Sequence, residues 1–218
     1  NYWEAILTAS TTMLATFLGA WYAFSLTEKS ARRRDEEKAV EAANRVVFSL
    51  IRIRNNLATV RKQIIEPHRS TQHREYFIQP TASLGTYEPH GIVEMHPFAD
   101  DSDPLLLNEV MDLEMEIVTT LEWMDRRSAA HLQFQERLDA ASISPNAPIP
   151  PEDLVRIAGS AFIAQLKSLT DQWIQGIDDS IDGCDNILPR LSAVIHRKYP
   201  SLPVLRMSPP KAHQELRK

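Results

Sequence analysis

The chain is short of the residues that usually announce chemistry. A single cysteine, Cys184, stands among 218 residues, which excludes an internal disulfide framework and a cysteine-based zinc site. Glycine is scarce at 6 residues, and no glycine-rich phosphate loop, nucleophile elbow or His-Glu-x-x-His pattern occurs. A basic excess is also missing. Lysine plus arginine number 24 against 29 acids, a net charge of -5, so a nucleic-acid partner is not expected. Apolar residues at 43% and charged residues at 24% are the proportions of a folded chain rather than charged disorder. What is plentiful is proline, 14 residues, grouped at breaks between long glycine-poor stretches.

The first stretch has no charged residue from Ala5 to Thr27. As a helix of 23 residues it would span roughly 34 Å, against a hydrocarbon thickness of about 30 Å. Tyr2 and Trp3 flank one end and Trp21 and Tyr22 the other, and the basic residues Lys29, Arg32, Arg33 and Arg34 follow. These features predict a single-pass anchor over 1–27. They place the N-terminus outside, the remainder in the cytoplasm, and the basic group on anionic lipid headgroups. Ala15, Gly19 and Ala23 recur every fourth residue, as do Thr8, Thr12, Thr16 and Ala20, so one helix could approach another closely along either stripe.

Residues 28–66 contain neither proline nor glycine. Ala39, Ala43, Val46, Leu50, Ile53, Leu57, Val60 and Ile64 step by four and three, a heptad seam widened by Val40, Val47, Ile51 and Ile65. That width predicts packing within the chain, with Leu50 and Leu57 at its helix interface. Prolines at 67, 80, 89, 97 and 104 mark a 38-residue excursion, 67–104, in which Tyr76-Phe77-Ile78 and Gly91-Ile92-Val93 read as strands or docking segments. A second helix is predicted over 105–141 with Asp103 as its N-cap, then a linker over 142–151. A third is predicted over 152–188, with a break near Gly183 to Pro189. The fold expected is all-α: a transmembrane helix continuing into an elongated antiparallel three-helix bundle over 28–199, with a flexible basic tail at 200–218.

Candidate chemistry is sparse. Asp178, Asp182 and Asp185 share a helical face and could hold magnesium or calcium, the one metal or cofactor suggested. Glu109, Asp112 and Glu116 form a second acidic face, and the two together suggest a helical metal-dependent phosphohydrolase. Against this, residues 28–66 carry ten basic side chains that acids could pair with. His68, His73, His90 and His96 fit no compact ligand motif. Cys184, Trp123 and Trp173 read as packing residues. The anchor, arginine cluster and long helix of the first 40 residues generally resemble small single-pass bacterial membrane proteins, some of them from phage-defence operons. That resemblance implies the bacterial inner membrane and carries no functional residue. The reading that follows is non-enzymatic: a membrane-anchored scaffold, sensor or regulatory subunit that oligomerises or binds a membrane protein. Its alternative is a membrane-perturbing effector of a defence or toxin-like system.

Overall fold

A computed structural model of the chain describes residues 2–99, 102–141, 150–203 and 205. Among these there is no strand, and the order of helices is α1 (Tyr2–Val60), α2 (Arg74–Phe77), α3 (Ile92–Met95), α4 (Leu106–Ala140), α5 (Pro151–Ala158) and α6 (Ser160–Lys198). The first helix has the predicted continuity. α1 passes into a π-helical turn, Arg61–Ile65, and a 3-10 turn, Glu66–His68, where Pro67 supplies no amide to continue the ladder.

No helix among the described residues is long and apolar enough to cross a membrane. The charge-free run is diluted by hydroxyls, two interfacial aromatic pairs and Gly19, and charges begin at Glu28 within the same helix. The single-pass anchor over 1–27 is therefore withdrawn. With it go the outside-in topology, the inner-membrane location, the lipid contact of Lys29, Arg32, Arg33 and Arg34, the membrane-protein partner and the membrane-perturbing effector. Arg32 and Arg33 instead pair along the helix with Glu36 (3.3 Å) and Glu37 (3.1 Å).

The seam from Ala43 to Val60 is buried as its period requires: Leu50 and Leu57 are wholly enclosed, and Val40 and Val47 add the predicted width. α6 is the hub, packed against both α1 and α4. Pairings fix direction. Arg54 meets Asp185 and Arg61 meets Asp178, so α1 and α6 are antiparallel. Leu113 lies against Gly183 and Thr120 against Gly176, so α4 and α6 are antiparallel too. α1 and α4 consequently run the same way, which corrects the simple antiparallel succession of three helices. A parallel pair needs a return connection along the bundle, and this is why the excursion is so long.

That connection is a strap. Arg74 reaches Asp171, residues 75–79 contact Arg127, residues 87–90 contact Glu114, and Asp103 reaches Arg190. Along α6, residues 171 to 198 cover about 40 Å. The segments expected as strands or docking pieces lie in and beside the short helices α2 and α3. Ile78, Tyr87, Met95 and Phe98 enter the main core.

Two helix ends differ from expectation. Asp103 does not cap α4: Leu105 precedes it without a side-chain bond, and the Asp103 carboxylate binds Arg190 at 2.8 and 3.0 Å. The third helix breaks at Gly159, not at 183–189. Gly159 has φ 89°, a backbone state that suits glycine, while Pro189 lies inside α6, which runs on to Lys198. α5, the start of α6 and the end of α4 enclose a second cluster around Phe134, Leu154 and Leu166. The linker residues 142–149 lie outside the described residues, as do 206–218 of the tail.

The two glycines within α6 are contact points rather than kinks. A Cβ at Gly176 would sit 2.5 Å from Thr120 Oγ1 and 3.1 Å from the Trp123 ring, and one at Gly183 would sit 2.7 Å from Leu113 Cδ1. Gly176→Ala is expected to lower stability by about 1–3 kcal/mol, although alanine is the better helix former. A thermal melt of the variant checks this, and an unchanged midpoint would mean that α4 and α6 stand further apart.

Candidate functional site

Three groups of polar side chains fasten the strap, and one long surface is left uncovered. The acidic face of α6 belongs to the first group. Asp178 accepts a two-point bond from Arg69 (2.8 and 3.0 Å) with Arg61 at 3.6 Å, and Asp185 accepts the same from Arg54 (3.0 and 2.9 Å). These contacts hold the guanidinium groups of Arg54 and Arg69 above their ordinary pKa. Asp182, the third proposed ligand, lies on the same face but is exposed. The carboxylate oxygens a cation would need are taken up by arginine. Among the described residues no group of three or more His, Cys, Asp or Glu could hold a metal ion. The second acidic face is divided as well. Glu109 binds Arg190, Asp112 is exposed, and Glu116 stands near Asp179 with its carboxyl raised by burial first and that neighbour second. The phosphohydrolase reading therefore loses its metal layout.

The second group surrounds Arg127, whose side chain is wholly buried. It donates to the carbonyls of Gln79 (2.8 Å), Ile78 and Glu75 (3.4 Å), meets His131 Nδ1 at 3.2 Å, and lies 5.5 Å from the centroid of the Trp173 ring. Burial pushes its pKa down to about 10, which still leaves a cation at neutral pH. Sequence reading passed over Arg127, because a helical arginine is ordinarily a surface residue. A faint sign was present: it shares the apolar face of Leu113, Thr120 and Met124 by helical spacing.

His131, four residues on, is held neutral. Burial first and Arg127 second push its pKa down to about 4 from 6.5. The unfolded chain binds a proton near pH 6.5 and the folded chain does not. The contribution is therefore complete above about pH 6.5 and is lost as pH falls toward 4. At 1.36 kcal/mol per unit the loss approaches about 3 kcal/mol. Urea unfolding of wild type and His131→Gln at pH 7 and pH 4.5 checks this. The wild type is expected to lose clearly more stability than the variant over that interval, and parallel losses would contradict it.

The third group is centred on Glu114, 1% exposed. Its carboxylate accepts from Tyr87 Oη (2.7 Å) and the His90 amide (3.1 Å), with His90 Nδ1 at 2.5 Å. Burial and then the Glu114 bond raise the Tyr87 phenol far above its ordinary pKa. Of the other histidines in the strap, His68 stacks on Phe77, His73 lies 3.5 Å from Glu75, and His96 is exposed, so the four do not converge. Cys184 is buried in the main core, its thiol pushed up to about 12 by burial, and Trp173 is likewise wholly enclosed. Trp123 is half-buried over Gly176.

The uncovered surface is the arm, residues 13–39 of α1. Among the described side chains of α1 the first buried one is Val40. Before it stand Trp3, Leu14, Phe17, Leu18, Trp21 and Phe24, each 53–77% exposed. At 100° per residue the bulky side chains from Met13 to Leu26 cover rather more than half the helix circumference. Gly19 and Ala23 mark the other side, while Ala15 falls between Tyr22 and Leu26; all three are exposed, with nothing within 4 Å of a Cβ placed on Gly19. Thr16 falls on that small-residue side, whereas the side chains of Thr8 and Thr12 lie outside the described residues. Leu50 and Leu57 belong to the chain's own core and are closed to any outside partner. Comparison with protein-family models, with curated proteins and with solved structures finds no match for this chain.

Proposed function

We propose that this chain is a helical docking protein. Its arm seats in an apolar groove of a partner protein, and the strapped bundle is the rigid mount. The observation that carries the reading is the two-sided arm. Large apolar side chains exposed along one side of a free helix form a patch well beyond the few hundred Å² that folded proteins ordinarily leave uncovered. Helix-in-groove recognition uses such a face, with anchors here at Leu14, Phe17, Leu18 and Trp21. On the opposite side Gly19 and Ala23 let a second helix backbone approach closely. Direction is transmitted through the mount, because α1 has no break between Tyr2 and Val60.

Site-specific photocrosslinking from position 17 or 21 in cells that make the protein tests this. The expected result is one discrete protein adduct that disappears when Leu14 and Leu18 are both changed to Glu. A probe at Leu132, an exposed residue of the bundle, supplies the background. Arm adducts no stronger than at Leu132, or adducts that contain no protein, would overturn the reading.

A further inference from the structure

Along the seam of α4 and α6 a cleft of about 500 Å³ stays open. Glu116 and Trp123 bound it from α4, and Gln172, Gln175 and Asp179 from α6. The size is that of a small-ligand pocket. Its shape follows from helical spacing. Glu116 and Trp123 stand two turns apart on one stripe of α4, and Gln172, Gln175 and Asp179 share one stripe of α6. Gly176 lies between the stripes without a side chain, so the six-membered ring of Trp123 settles against its backbone. A Cβ there would stand 3.1 Å from Cζ3 and 3.2 Å from Cε3. The indole is thereby fixed in the cleft, half-buried, with Gln172, Gln175 and Asp179 exposed along the rim.

Charge is left unbalanced here. Elsewhere in the bundle arginine supplies the balance: Asp185 has Arg54, Asp178 has Arg69, Asp171 has Arg74 and Asp103 has Arg190. Aromatic rings are matched in the same way, with Arg137 Cζ 4.1 Å from the Phe162 centroid and Arg127 beside Trp173. Glu116 has no hydrogen-bond donor and no ion-pair partner among the described residues, and Asp179 accepts only from the Gln175 amide of its own helix (2.8 Å). Burial first and Asp179 second raise the Glu116 carboxyl above its ordinary pKa. Among the described residues no cation lies over the Trp123 ring. The neighbouring arginines are engaged, Arg126 with Glu122 (3.4 Å) and Arg74 with Asp171 (2.7 Å). Two carboxylates held near each other beside a bare indole destabilise the fold and have no counter-charge within it.

We propose that the cleft between Glu116 and Asp179 is a binding site for the guanidinium group of an arginine on a partner protein. The planar cation stacks on Trp123 while its N–H groups reach the two carboxylates. Gln175 and Gln172 turn their amide nitrogens to Asp179 and Ser168, which leaves their carbonyl oxygens as acceptors for the remaining donors. A lysine ammonium supplies the charge but neither the flat face nor the fork of donors. The cleft is open along its rim, so it admits a side chain whose backbone stays outside, whereas a free small molecule is ordinarily enclosed. The site lies on α4 and α6 and does not rest on the arm.

The test follows the Trp123 indole N–H signal of the full chain by NMR, assigned with Trp123→Phe. The probe is the capped peptide Ala-Ala-Arg-Ala-Ala. A saturable shift is expected, with a Kd in the millimolar range. Citrulline in place of the arginine keeps the shape without the charge and is expected to give no shift. Lysine is expected to bind at least fivefold more weakly. Glu116→Gln combined with Asp179→Asn is expected to weaken the arginine peptide at least tenfold and to leave the thermal midpoint equal or higher, since it removes a repulsion. No shift with arginine, an equal shift with citrulline, lysine bound as tightly as arginine, or an unchanged affinity or lowered midpoint in the double variant would overturn the proposal. Guanidinium chloride alone is expected to bind more weakly than the peptide, and equal or tighter binding would overturn the protein as source. Binding that appears only after residues 206–218 are removed would assign the cleft to the chain's own tail and overturn it as well.

Discussion

Replacing Arg127 by methionine is expected to lower the stability of the chain by about 3 kcal/mol. The side chain is completely buried and has no carboxylate beside it. It donates instead to backbone carbonyls of Glu75, Ile78 and Gln79. Two effects oppose each other. Removing a buried cation relieves its desolvation, but it also strips donors from three backbone carbonyls of the strap. An acceptor left buried without a donor costs about 1–3 kcal/mol, and three are at stake. Because the guanidinium also packs beside Trp173, the loss outweighs the relief. Lysine is not expected to rescue, since a single ammonium cannot span three carbonyls as the planar fork does. The urea midpoint of Arg127→Met and Arg127→Lys measures both effects. A midpoint equal to wild type would mean that the strap does not depend on this residue.

Glu114→Ala is expected to act locally and almost as strongly. The carboxylate satisfies the Tyr87 hydroxyl, the His90 amide and the His90 ring at once, inside the main core. Without it, three donors face an apolar hole, a loss of about 3 kcal/mol. The loss falls on the strap rather than on the α4–α6 seam. Amides of residues 84–95 are therefore expected to exchange roughly a hundredfold faster while Ile177 and Cys184 stay protected. Uniform acceleration across the chain would show that strap and bundle unfold as one unit.

The helices were legible because their causes are local. The four-three spacing needs only a buried stripe, and the structure buries it from Ala43 to Val60. The lengths of α1 and α4 followed from where proline stops. Topology was not legible. Nothing in residues 67–104 announces a return along the bundle, because the strap is held by single side chains on distant helices, such as Arg127, Glu114 and Arg190. The acidic group of α6 misled for the same reason. Asp178 and Asp185 look like a ligand pair until Arg54 and Arg69 are seen to fill their oxygens, and those pairings join residues 131 and 109 apart. Gly159 was passed over for Gly183 because a break was sought where glycine and proline cluster. The breaking residue is the one with positive φ, whereas Gly183 makes room for Leu113. The charge-free N-terminal run was read by its lack of charge. Its hydroxyls, its aromatics and its continuity with the charged remainder of α1 overturn the spanning reading.

α1 is one helix with two environments, an uncovered arm and a buried body. Pulsed hydrogen exchange on the full chain, at a concentration where it sediments as a single copy, tests this directly. The expected result is a step in protection near Val40: amides of residues 11–34 exchange within seconds, and those of Val46 to Leu57 persist for hours. Equal protection on both sides of Val40 would contradict it, because the arm would then be covered by the chain itself and would have no face to offer a partner.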